Sequence, residues 1–130
     1  MSISPELGLA IMMNNYFHDV ATALLIGSAV AMWSMVRQYD PVDGPEAGRL
    51  VLRLHASMTK LARGALVWIV VGGIPRTIFY MDFEWSNAVG KMQVPALVLK
   101  HVLIFTMLGA GAWLWLKLRR RMAELRAALA

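Results

Sequence analysis

The chain has no cysteine. That excludes disulfides, thiolate-bound iron–sulfur clusters, the CxxCH attachment of c-type haem and a cysteine nucleophile. It also lacks any polar stretch long enough to enclose a core of its own, so no separate soluble domain is expected. Acidic residues are few, 8 against 13 Lys and Arg. The resulting charge of +5 does not point to nucleic acid, because the basic residues flank apolar segments, where lipid headgroups and topology account for them. No nucleophile triad, phosphate-binding loop or carboxylate cluster argues for hydrolysis or nucleotide use. The first seventeen residues, MSISPELGLAIMMNNYF, contain neither Lys nor Arg and no clear small-residue cleavage site. They do not read as a cleaved secretory signal, so the first apolar segment is expected to stay in the mature protein.

What the chain does have is apolar length. Of its 130 residues 58% are hydrophobic, and the mean hydropathy is +0.55. A soluble domain of this size must also supply a polar surface and seldom carries so much. The expected fold is all-α: an integral membrane three-helix bundle, forming one membrane domain over 1–130 with crossings at about 16–36, 61–81 and 94–116. Ser4, Pro5 and Glu6 resemble a helix start, with a capping side chain and a proline in the first turn. Pro75 interrupts the second segment and predicts a kink.

Charge sets the expected topology. Arg37, Arg49, Arg53, Lys60 and Arg63 lie between or beside the first two crossings, and Lys117, Arg119, Arg120, Arg121 and Arg126 lie in the C-terminal tail. With three crossings these regions share one face. The positive-inside rule places the N-terminus outside and the C-terminus in the cytoplasm, in a multi-pass protein of the cell inner membrane. Trp33, Trp113 and Trp115 then fall at the inner interface, and Tyr80, Phe83 and Trp85 at the outer one, as aromatic belts do.

The third segment poses the functional question, because Lys100 and His101 stand side by side inside its apolar run. A charge at mid-membrane costs about 3 kcal/mol on insertion scales, so such residues face protein, water or a cofactor. At about 1.5 Å rise per residue His101 lies roughly 10 Å inside the outer end of its helix. His18 and Arg76 lie near the outer ends of the first and second helices, while His55 falls at the cytoplasmic interface and reads as solvated. The three helices thus each contribute to one polar cluster in the outer leaflet. Two imidazoles from different helices suit the axial positions of a b-type haem. His18 and His101 are the candidate iron ligands, and Arg76 and Lys100 the candidate propionate partners. Asp19 would orient the His18 ring or bind a proton; Gly72, Gly73 and Gly109 would let a porphyrin approach. The bland alternatives are a His101 hydrogen-bonded to a neighbouring subunit, a Lys100 snorkelling outward, and glycines that serve only close helix packing. The ten methionines read as apolar filler.

Two stretches resemble a known family. The basic lead into the second helix, Leu54–Gly73 with Lys60, Arg63 and a closing Gly pair, resembles a helix of the copper-resistance D family. That superfamily also contains the membrane-bound haem-dependent protoporphyrinogen oxidase. The run Gly90–Lys100 is similar to a later helix there, in which a lysine follows leucines. The resemblance implies a haem site to which His18 and Lys100 would correspond. This chain departs from the family in having no fourth crossing and in placing His101 directly after the lysine.

The functional expectation is therefore a haem b subunit that carries electrons between a quinone or membrane partner and an outer-side redox partner, rather than a stand-alone enzyme. Its partners would be membrane lipid and either a second copy or other membrane subunits. The alternatives are a non-haem accessory subunit of a larger membrane complex, and a haem-dependent porphyrin oxidase.

Overall fold

A computed structural model describes residues 3–130. It is entirely helical, with no strand among the described residues. Three long helices dominate: α1 (Pro5–Gln38), α2 (Pro45–Ile78) and, after the short α3 (Ser86–Gly90), α4 (Val94–Leu129). All three are long and apolar enough to cross a membrane, which makes this a multi-pass membrane protein. At about 1.5 Å per residue each spans roughly 50 Å, well beyond a hydrocarbon core of about 30 Å. Their ends therefore reach through the headgroup layers.

Local chemistry explains the ends. Ser4 caps α1, its hydroxyl accepting from the Leu7 N–H at 3.3 Å, with Pro5 in the first turn where its missing N–H costs nothing. Between α1 and α2 the chain makes one 3₁₀ turn, Pro41–Asp43, closed by a reciprocal capping box from Asp40 and Asp43. Gly44 follows at φ 87°, a conformation that favours glycine, and sends the chain back antiparallel. α2 remains helical through Pro75 to Ile78. Pro75 cannot bond the Val71 carbonyl. Side chains reinforce the ladder just beyond that gap: Asn14 Nδ2 donates to the Gly72 carbonyl at 2.8 Å, and Thr77 Oγ1 to the Gly73 carbonyl at 2.8 Å.

The segment after α2 is more ordered than a plain connector. A single π-helical stretch, Tyr80–Trp85, runs into α3. α3 then stops in a Schellman arrangement: Gln93 N–H bonds the Ala88 carbonyl, and Met92 N–H bonds the Val89 carbonyl. Met92 occupies the left-handed position at φ 54°, where glycine is usual, at a cost of about 1–2 kcal/mol.

Small residues hold α1 against α2. Ala21, Thr22, Ser28 and Ala29 on α1 are buried, as are Ala62, Ala65 and Gly72 on α2, while Gly48 packs under Tyr39 and Leu129. Side chains this small let two backbones approach, which in lipid replaces the hydrophobic effect as the source of attraction. α4 is held by fewer anchors, Gly111, Leu118 and Met122, spaced seven and four residues apart along one face. A Cβ at Gly111 would already sit 3.6 Å from Ile26, so α4 meets α1 closely there. Most of the remaining α4 surface is apolar and exposed, including Val98, Leu99, Val102, Leu103 and Phe105.

The order up, down, up leaves the molecule with two unlike ends. One gathers Asp19, Arg76, Glu84 and Lys100. The other brings Arg37 of α1 beside Lys117 and Arg121 of α4. The interhelical loop and the C-terminal tail therefore share one end, as the charge pattern requires.

Candidate functional site

The polar end is built around Arg76, whose side chain is only 10% exposed. A guanidinium so placed in a membrane protein must be neutralised and hydrogen-bonded on every side. Its Nε lies 2.8 Å from Glu84 Oε1, and Nη2 donates to Glu84 Oε2 at 3.3 Å, a two-point fork. Nη1 donates to Asp19 Oδ1 at 2.7 Å and, more weakly, to His18 Nδ1 at 3.3 Å. Glu84 is secured from α1 as well, since Asn15 Nδ2 donates to its Oε1 at 3.0 Å. Lys100 of α4 reaches the other oxygen of Asp19, Nζ to Oδ2, at 3.3 Å. One network of two carboxylates and two cations therefore ties α1, α2, α4 and the π-helical segment together.

The π-helical turn is what makes the fork. In a straight continuation of α2, Glu84 would lie about 12 Å along the axis from Arg76, eight residues on. The non-helical ψ of 6° at Phe79 and the π turn after it bring the carboxylate back against the guanidinium.

Three of the four candidate residues, His18, Arg76 and Lys100, therefore meet around Asp19. His101 does not join them. His18 accepts from Arg76 through Nδ1, so it holds no proton there for Asp19, whose Oδ1 lies 3.9 Å away. Its other nitrogen, Nε2, is turned to the α2 backbone, 3.6 Å from where a Cβ of Gly73 would stand. The Nδ1 side of the His18 ring is thus committed to Arg76 of α2. Arg76 and Lys100 are committed to carboxylates.

His101 instead lines a groove of about 510 Å³ together with Tyr80, Val98, Val102, Phe105 and Thr106, with no residue of α1 in it. Its Nδ1 donates to the Leu97 carbonyl at 2.7 Å, one turn back. That bond fixes the tautomer and leaves Nε2 with a lone pair and no hydrogen-bond partner among the described residues. Tyr80 braces the ring edge-on, centroids 5.5 Å apart.

Two readings of the sequence need correcting. His55 is not simply solvated: its ring packs on Trp115 with centroids 5.5 Å apart, and its Nε2 is buried without a hydrogen-bond partner among the described residues. Gly72 is already packed by Asn14 and Trp68 and leaves no room for a porphyrin, whereas Gly109 borders open space. Glu84 and Asn15 were not foreseen. Both are polar residues at the same end of the bundle as Arg76, but nothing in the spacing separates Glu84 from Asp82, which forms no ion pair among the described residues.

A haem b iron needs donors with free lone pairs. His101 fits that requirement, since a ligating imidazole characteristically donates its other N–H to a backbone carbonyl. His18 as arranged here does not: with Nδ1 accepting from Arg76, its neutral ring carries the proton on Nε2. No group of three or more His, Asp or Glu capable of holding a metal ion occurs among the described residues. Compared with known proteins, the chain matches no family model, no curated protein and no solved structure.

Proposed function

We propose that this chain is a b-type haem-binding subunit of the cytoplasmic membrane, carrying electrons between a quinone or membrane partner and a redox partner on the outer side. The observation that supports it best is the His101 ring, held by Leu97 through Nδ1 and presenting an unpaired Nε2 in a groove with apolar walls. A bound haem would supply a one-electron couple. The chain's own part is to offer the His101 lone pair, brace the ring with Tyr80 and keep water out with Val98, Val102 and Phe105. Lys100, adjacent in sequence and 39% exposed, is the cation best placed to exchange Asp19 for a propionate. Arg76 stays with Glu84. The groove opens at the surface of the bundle, so any further donor to the group would come from another copy of the chain or from a partner subunit. The orientation that accompanies this reading has the N-terminus outside and the basic end in the cytoplasm.

The test is a dithionite-reduced minus oxidised spectrum of the purified protein with a pyridine haemochrome assay. A b-type signal that His101→Ala abolishes and His55→Ala leaves nearly intact is the expected result. A blank, from material expressed with ample haem and any native partner, overturns the proposal. Orientation is checked separately, since the chain has no cysteine. Asn87→Cys should react with a membrane-impermeant maleimide from the periplasmic side, and Ala127→Cys only from the cytoplasmic side.

A second reading, a non-haem subunit that packs into a larger membrane complex, is favoured by the exposed apolar flank of α4, with Phe105 70% and Leu99 58% exposed. A colourless but tightly co-purifying chain would support it.

A further inference from the structure

At the opposite end of the bundle lies a cavity of about 770 Å³. We infer that it is a binding site for the phosphate of an anionic phospholipid, with Arg37, Lys117 and Arg121 as the phosphate-facing cations. The chemistry of the walls supports this. Arg37 sits in the last turn of α1, and Lys117 and Arg121 lie one turn apart on α4. Neither Arg37 nor Lys117 has a carboxylate partner among the described residues, and Arg121 meets Glu124 only loosely, at 3.8 Å. Glu124 also lines the cavity, so three cations face one carboxylate and the site carries a net positive charge.

The Lys117 ammonium is held in place by aromatic faces rather than by an anion, with Nζ 4.6 Å from the Trp33 ring centroid and 4.9 Å from that of Trp113. Those two tryptophans also mark the level of the membrane interface. The remaining walls are largely apolar: Val36, Val51, Met122, Leu125 and Ala128. A free phosphate would use the cations and gain nothing from these walls. A phospholipid uses both, its phosphate at the cations and its first acyl carbons along the apolar side. Basic pockets between membrane helices at the headgroup level bind acidic lipids by this combination.

The experiment is a titration of tryptophan fluorescence, using the full chain in detergent and mixed micelles of dioleoylphosphatidylglycerol. Dioleoylphosphatidylcholine and inorganic phosphate serve as parallel arms. The expected result is saturable binding of phosphatidylglycerol, with half-saturation about 10-fold or more below that of phosphatidylcholine, and no saturation by inorganic phosphate over the same range. In the R37Q/K117Q/R121Q variant half-saturation should rise by about 10-fold or more while helix content by circular dichroism stays unchanged. Lys117→Gln alone, which removes one exposed charge, should produce a smaller rise and serves should the triple variant misfold. Equal response to the two lipids, or unaltered affinity in a folded variant, overturns the inference. Saturation by inorganic phosphate at the same concentrations assigns the site to a free anion and overturns the lipid.

Discussion

The two ends of this bundle carry cations in opposite ways. At the polar end Arg76 is buried, and two carboxylates, an asparagine-supported fork and an imidazole surround it. At the basic end Arg37, Lys117 and Arg121 are exposed, and only one of them touches a carboxylate. The difference follows from the solvent. Within the low-dielectric bilayer an unpaired charge costs several kcal/mol, so the buried Arg76 has recruited Asp19 from α1 and Glu84 from the π-helical segment. At the interface water and lipid headgroups do that service, and the cations can remain free to meet mobile anions. One end is thus locked and the other is open, which is why the polar end organises the helices and the basic end can take a ligand.

The strongest way to break this contrast is Arg76→Ala. It strands Glu84 and Asp19 without their common partner, and removing one member of a buried ion pair costs about 3–5 kcal/mol. Thermal unfolding in detergent should show a large loss of stability, and α4 should detach first because it has the fewest buried anchors. A loss no greater than that of an exposed substitution would mean that the fork does not form. Lys100→Gln probes the same network at its exposed margin, where both side chains are about 40% exposed. It should cost about 1 kcal/mol or less, read by the same assay. Arg121→Gln tests the open end. Its pair with Glu124 is long and exposed on both sides, so stability should change by no more than about 0.5 kcal/mol. If Arg121→Gln destabilised the chain as much as Arg76→Ala, the two ends would not differ in kind.

Much of the fold is legible in the sequence. Apolar length identifies three long helices, Ser4–Pro5 marks where the first begins, and the Lys and Arg distribution puts the loop and the tail together. The site is legible only in part. His18, Arg76 and Lys100 can be placed at one depth by counting residues, because rise per residue is nearly constant. Counting gives no rotation about the helix axis, and rotation is what separates them from His101. The Nδ1 bond to Leu97 and the stacking on Tyr80 turn His101 to the outer flank.

Residue types and their order suffice to dictate what the solvent demands: an all-helical membrane chain, a basic end, and a few charges that must find partners. These are properties of composition and of period along one axis. The tertiary structure decided which partners they find. Glu84 rather than Asp82 meets Arg76 because the π turn after Phe79 sets its direction, and Lys100 rather than Lys91 meets Asp19 because α4 docks on α1 at Gly111, against Ile26. Both outcomes depend on backbone irregularity and helix rotation, which arise from packing between segments distant in the chain.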